Sequence, residues 1–465
     1  MGFNLINLHG PIDLFSSSFR QYDLLGADAP PMFLKRFQLG LIHLAVAMTL
    51  VPINSTLNRV MIKELAFSAT LVAMLASLPY LFSPIQVFIG SFSDRHPVWG
   101  WHRTPYIALG LVFCVVGVIL SPLAAFVLAE NFWTGLLFGL LAFGAWGMGF
   151  NFATVSYFSL ATDLSGEKDR GGTISVMFFM MIIGIIFTSL LISRLVTPYS
   201  PEALVRSFWI VGVAALGLGL IGLIKLEKRT KAARAESEER YTWQVLASSI
   251  LENKQATTFF LYLIILLIAL LGQDILLEPF GGEAFGMAVE ETTRITSIWG
   301  AFTLVALVVA GFLERRISKR TIAFWGGGVA LVGFVLIAAS GILVSTPVFY
   351  TGVILLGAGT GLSTVSNLSL MLDMTTATKV GLFIGAWGMA NAASRLFGAL
   401  LSGVVRDVLT RVFQNPVFAY VSVFSILAIL LFISLFILRR IDVSAFRQEA
   451  EAKTVLERAA LVSDV

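Results

Sequence analysis

The residues able to do chemistry in this chain are few and far apart. Four histidines, His9, His43, His96 and His102, and one cysteine, Cys114, are spread over 465 residues. No two of them have the spacing of a zinc or iron–sulfur motif. Cys114 has no second cysteine with which to form an intramolecular disulfide. No nucleophile–base pair, phosphate loop or nucleotide fingerprint is visible, which argues against an enzyme. Only His43 lies inside a long apolar run. A lone imidazole there either hydrogen-bonds a neighbour or ligates a metal through a ring nitrogen.

A second set of polar residues is placed more suggestively. Asn54 and Asn58 are spaced i, i+4, as are Asp274 and Glu278, so each pair shares one helix face. Arg59 follows the first pair, and Arg395 lies deeper in a later apolar run. Isolated charges at membrane depth are costly and are normally partnered. We therefore expect Arg59 to pair with Asp274 or Glu278 as a latch between two halves of the molecule. The alternatives are that these groups reach interfacial water, or that Arg395 takes Asp274 instead. A third set, Asp94, Arg95, Arg103, Asp163 and Arg170, with Glu314, Arg315 and Asp373, collects at the ends of apolar runs. Its expected role is structural, holding helix ends together.

The elements that carry these residues are membrane helices. The chain is 57% hydrophobic and only 13% charged, against about 25% charged in soluble domains. Many of the apolar runs reach the ~20 residues that cross a bilayer. Twelve spans are expected: 38–58, 69–91, 105–128, 132–160, 173–193, 205–226, 256–277, 293–313, 321–344, 347–371, 380–404 and 415–438. The first 37 residues lack the compact apolar stretch of a cleavable signal peptide. Thr154-Val155-Ser156 through Asp163 recurs as Thr364-Val365-Ser366 through Asp373, at an offset of 210 residues. Gly90 through Arg95 matches Ala310 through Arg315 at an offset of 220. Extended upstream, this second offset sets Asn54 opposite Asp274 and Asn58 opposite Glu278. The expected fold is thus an all-α membrane protein of two pseudo-symmetric six-helix halves, 38–226 and 256–438. An N-terminal arm (1–37), a charged linker (227–255) and an amphipathic tail (439–465) complete it.

Orientation follows from positive charge. Of the 32 Lys and Arg residues, 24 fall on the side that carries both termini and the linker, and 7 on the other. That asymmetry makes both termini cytoplasmic. The net charge of +4 is scattered over short loops, a pattern of a membrane face rather than of nucleic-acid binding. Paired small residues, Gly144, Gly147 and Gly149 and again Gly357, Gly359 and Gly361, are expected to let helices approach closely in lipid.

The architecture resembles the major facilitator superfamily, whose span 2–3 motif is similar to Gly90-x-x-x-Asp94-Arg95 followed by Arg103, here with a longer, Trp-containing loop. Span 4 lacks the arginine of many proton-coupled members, and span 5 lacks the Gly-Pro pattern of antiporters. Three strings are closer still: Thr56-Leu57-Asn58-Arg59-Val60-Met61-Ile62-Lys63-Glu64-Leu65, Gly100-Trp101-His102-Arg103-Thr104-Pro105-Tyr106-Ile107, and Gln273-Asp274-Ile275-Leu276-Leu277-Glu278-Pro279-Phe280-Gly281-Gly282-Glu283. These resemble the bacteriochlorophyll-delivery branch, the PucC/LhaA-like proteins of phototrophs, over residues 35–440. The loop at residues 93–97 and the long N-terminal arm look more like cyanobacterial members.

The resemblance implies an assembly factor for light-harvesting complexes in a thylakoid or inner membrane. It would supply chlorophyll or bacteriochlorophyll, as cargo, to antenna or photosystem proteins, with chlorophyll synthase as a further partner. His43 is then the first candidate ligand for the chlorin magnesium, with Asn54, Asn58 and Gln273 behind it. Two other readings stay open: a secondary transporter of a small solute, and a pigment-free docking scaffold that uses the arm and the linker.

Overall fold

The computed structural model describes residues 32–229, 251, 253–375, 380–442 and 444–446; the side chains of Val87, Ser91, Asp94, 166–170, 380–382 and Ile384 also lie outside the description. The described residues are almost entirely helical. The first passage begins as α1 (Met32–Val51) and widens into two π-helical stretches, Pro52–Leu57 and Val60–Glu64. Six residues expected in the N-terminal arm therefore already belong to this helix. The second passage is broken into α2 (Ala69–Ala76), α3 (Leu78–Leu81) and α4 (Ile85–Arg95). Pro79 and Pro84 sit at the breaks, where each removes a donor from the helix ladder. The repeat-equivalent positions 220 residues on are Trp299 and Leu304, and that helix runs unbroken.

Helix α5 (Thr104–Glu130) follows, then the helical run Phe132–Leu195. This run is two membrane passages, α6 (Phe132–Ser165) and α7 (Gly171–Leu195). Ser165 Oγ donates to Thr173 Oγ1 at 2.7 Å, although a straight helix separates residues eight apart by about 12 Å. The chain therefore doubles back between them. The first half closes with α8 (Pro201–Leu223).

The second half comprises α9 (Lys254–Gly272), α10 (Leu277–Phe285), α11 (Val289–Leu313), α12 (Lys319–Leu343), α13 (Thr346–Asp373), α14 (Val380–Phe413) and α15 (Pro416–Leu438). Helices α9 and α10 are one passage interrupted at residues 273–276. Subtracting 220 puts this interruption at Ile53, where α1 gives way to π-helix. The irregularity is thus itself repeated.

Ten described helices are long and apolar enough to span a bilayer. The broken α2–α4 passage and α14 are the other two of the twelve expected positions. The interruptions of the first, and Arg395, Arg406, Asp407 and Arg411 within the second, set them apart from the plain apolar helices.

Close helix pairs repeat as well. A Cβ on Gly110 or Gly149 would strike the facing backbone of α6 or α5, and one on Gly326 or Gly359 would strike that of α13 or α12. Glycine lets these backbones meet without side chains between them. Of the glycines singled out from sequence, Gly147, Gly149, Gly357, Gly359 and Gly361 lie at such contacts, whereas Gly144 faces open space.

The passages alternate direction. One end of the bundle, here the terminal end, carries Met32, Arg95, Thr104 and Leu438. The other, the distal end, carries Glu64, Ala69, Phe285 and Val289.

Candidate functional site

The polar residues converge on a seam between the halves at the distal end. The first passage is largely π-helical here, and residues at i, i+4, i+8 lie within one broad face. That face presents Ser55, Arg59 and Lys63. Ser55 Oγ donates to Glu278 Oε1, Arg59 Nη2 to the Met287 carbonyl at 3.2 Å, and Lys63 Nζ to Glu283 Oε2 at 2.8 Å. Lys63 and Glu283 are themselves repeat mates, 220 residues apart. Equivalent residues that touch across a two-fold must lie beside its axis. Thr56 and Thr293 meet at 3.2 Å nearby, and Thr296 Oγ1 also donates to Glu278 Oε1.

A second clamp joins α14 to the start of α2. Asp407 accepts from the Ala69 and Thr70 amides at 3.0 and 2.8 Å and from Thr70 Oγ1 at 2.6 Å. This carboxylate satisfies orphan donors at a helix N-terminus, where negative charge is favoured. Gly403, one turn earlier, lies against the Ala69 carbonyl. Between α7 and α11, Ser193 donates to the Glu290 carbonyl and accepts from Arg294 Nε, both at 2.8 Å. Contacts of α14 with the second passage concentrate on α2 and α3, its distal part. The distal end is closed.

The expected Arg59 pairings are not formed. Arg59 Nη1 binds Glu64 at 2.8 Å, and Asp274 pairs within its own half with Arg395 at 2.9 Å. The helix interruption after Gly272 turns Asp274 toward α14, and the π-helix turns Arg59 toward Met287. An i, i+4 argument assumes regular helix, and both helices are irregular at these positions. Arg395 also stands 5.6 Å from the Tyr80 ring, so this ion pair borders the seam at mid-depth.

The four candidate pigment ligands do not form one site. Asn58 is fully buried and spends its amide on the Asn54 carbonyl at 3.0 Å. Gln273 Nε2 donates to Asp274 at 2.6 Å. His43 lies in α1, 11 residues before Asn54. It is surrounded by the rings of Tyr157 (5.1 Å), Phe158 (5.5 Å) and Phe178 (5.2 Å), and its buried Nδ1 has no hydrogen-bond partner. The second half differs near the matching place, where His43 corresponds to Leu263. There Tyr262 donates to Asn367, the repeat mate of Tyr157, at 2.8 Å. Where the C-terminal half closes a hydrogen bond, the N-terminal half holds an open ring nitrogen in an aromatic cage.

At the terminal end the charged groups gather separately in each half. Arg103 Nη1 donates to Ser93 Oγ, and Arg103 Nε stands 3.8 Å from Asp163. Lys319 binds Asp373 at 2.7 Å, and Glu314 accepts from Ser369 at 2.8 Å. Partial burial pushes the Glu314 carboxyl above the usual range, while Ser369 and Lys319 pull it back. Arg315 lies over the Phe312 ring at 5.7 Å, and Arg95 ends α4. The side chains of Asp94 and Arg170 fall outside the described residues, as do the arm up to residue 31, most of the linker and the tail beyond Phe446.

Sequence reasoning missed Ser55, Lys63, Glu283, Thr296 and Asp407. Lys63 and Glu283 carried a legible signal, opposite charges at one position of the repeat. Asp407 carried none, because its partners are backbone amides.

Comparison with known proteins places this architecture in a family. The profile of the family described as PUCC protein matches residues 56–446. Protein PucC of Cereibacter sphaeroides is 32% identical over 420 residues, covering 87% of this chain and 91% of that protein. The Rhodobacter capsulatus protein named bacteriochlorophyll synthase 44.5 kDa chain is 26% identical, covering 91% and 98%. Among solved structures, a bacterial homologue of the lysosomal transporter Spinster superposes with a TM-score of 0.67 at 12% identity, over 91% of this chain and 98% of that one. Its fold is that of the major facilitator transporters. The chain is an integral membrane protein of this fold and belongs to the PUCC protein family.

Proposed function

We propose that the chain serves the assembly of photosynthetic antenna complexes in a phototroph. Within that role it binds chlorophyll or bacteriochlorophyll and passes it to nascent pigment-binding proteins. Membership of the PUCC family supports the assembly role. The relative named as a bacteriochlorophyll synthase chain supports proximity to pigment synthesis, with a synthase or antenna protein as partner. We read this chain as a carrier without catalytic chemistry. The positive charge of the terminal end supports a cytoplasmic location for both termini, in the inner or thylakoid membrane.

One observation carries the pigment step: the open Nδ1 of His43 within the cage of Tyr157, Phe158 and Phe178. A neutral imidazole ligates magnesium through such a nitrogen, and aromatic walls suit a flat macrocycle. Phe158 and Phe178 are half-buried and swing aside to admit the ring, whose phytyl chain stays in the bilayer. The test is the absorption spectrum of protein purified gently from a phototroph, beside His43→Ala and His43→Gln. Chlorin bound to wild type and depleted in His43→Ala is the expected result. Equal pigment in both rejects His43 as ligand, and absence of pigment in wild type rejects the carrier reading.

The closed distal seam favours a second reading, alternating access by rocking of 38–226 against 256–438 to move a small solute. Solute uptake into vesicles without added pigment is its test. The scaffold reading is tested by deleting 1–31 or 230–250, after which unchanged antenna assembly rejects it.

A further inference from the structure

A groove of about 490 Å³ opens on the first half at the terminal end, between the start of α5 and the end of α8. Ala108, Leu220, Leu223 and Ile224 form its walls, and Trp101, Lys225 and Arg229 its rim. Leu220 and Ile224 are exposed; on a membrane helix that exposure is to acyl chains. Lys225 and Arg229 are exposed as well, at the level where a span leaves the hydrocarbon. The groove therefore runs from an apolar lower part to a cationic, aromatic mouth, in the order in which a lipid presents its tail and its headgroup.

Glu227 also lines the groove, but its charge is committed elsewhere. Its Oε1 accepts from the His102 and Arg103 amides at 2.8 and 3.1 Å, and its Oε2 from the Arg103 and Thr104 amides at 3.1 and 2.7 Å. These amides stand at and just before the first residue of α5, and the carboxylate complements the helix dipole there. Two things follow from this tether. The carboxylate is pulled to the helix end, and the segment carrying Lys225 and Arg229 is fixed to α5 on either side of the groove. Lys225 takes a left-handed φ of 54°, uncommon outside glycine and asparagine. Arg229 is held with its guanidinium 4.3 Å from the Trp101 ring. Arg229 is thus held by the Trp101 ring, and Lys225 is brought to the rim by its backbone.

We propose that this groove binds one anionic membrane lipid, with an acyl chain along Leu220 and Ile224 and a phosphate or sulfonate headgroup between Lys225 and Arg229. Charge complementarity with the anionic leaflet selects this occupant. The bound lipid cross-links α5 to the start of the inter-half linker. It also makes the anchoring of that linker sensitive to lipid composition, independently of any pigment.

The test uses the full chain in phosphatidylcholine nanodiscs doped with phosphatidylglycerol, with retained lipid counted by native mass spectrometry. Wild type is expected to retain phosphatidylglycerol over phosphatidylcholine. Lys225→Ala/Arg229→Ala is expected to retain it roughly 30-fold less, from two cations near a surface. Lys228→Ala removes a neighbouring cation outside the groove and is expected to behave as wild type. Equal retention of both lipids by wild type overturns the proposal, as does an equal loss in Lys228→Ala and the double variant. Leu220→Trp keeps every charge and fills the groove. Loss of phosphatidylglycerol in that variant supports the site even if the double variant does not fold, and full retention overturns it.

Discussion

Asp407→Ala should open the distal end. The carboxylate belongs to the second half, and three of its bonds go to Ala69 and Thr70 of the first. An N-cap contributes about 1 kcal/mol, and a hydrogen bond to a charged group about 1.5–3 kcal/mol. The sum overstates the loss, because amides at the membrane rim recover water when freed. We expect about 2 kcal/mol, a factor of roughly 30 in the closed-to-open ratio. A population closed about 99:1 would become about 3:1, which a distance distribution resolves. Spin labels at Glu130→Cys and Arg411→Cys, exposed on opposite halves at the distal end, report the opening. The native Cys114 is buried and free, so it adds little labelling background. Double electron–electron resonance should show a longer-distance component in Asp407→Ala and a smaller one in Thr70→Ala, which loses one of the three bonds. An unchanged distribution in a folded Asp407→Ala protein would refute the clamp.

Reversing the axial pair should also be informative: Lys63→Glu alone should favour opening by a few-fold to tenfold, and Lys63→Glu/Glu283→Lys should restore closure, since partly exposed pairs are worth about 1 kcal/mol or less. Arg395→Met leaves Asp274 without its partner at mid-depth; because both side chains are partly exposed, it should cost about 1–3 kcal/mol, read as lost expression and thermal stability. Adding Asp274→Asn should recover much of that loss. Gly149→Leu forces a side chain against the backbone of α5 around Cys114 and should lower thermal stability by more than about 2 kcal/mol. Gly144→Leu, which meets open space, should be nearly neutral in the same melting assay.

The membrane class was legible in the sequence because it rests on composition, and the repeat and its offset because they rest on pairs of strings. A bilayer demands long apolar helices whatever their packing, and a duplicated unit keeps its glycines and end charges. The same offset relates the interruptions at Ile53 and Gln273 and sets Lys63 opposite Glu283, but only the folded helices reveal the interruption and bring that pair into contact. Which charges pair was decided only by the tertiary structure. The i, i+4 spacing of Asn54 with Asn58 and of Asp274 with Glu278 assumed regular α-helix. The π-helical turns and the break after Gly272 sent the Arg59 hydrogen bonds to Glu64 and the Met287 carbonyl and gave Asp274 to Arg395. The clamp at Asp407 depends on helix ends brought together from positions more than 330 residues apart, through amides that every residue except proline carries. His43 was visible as the lone histidine in an apolar run. Its aromatic cage exists only because α1, α6 and α7 pack together, and no spacing along one helix reports what its neighbours present.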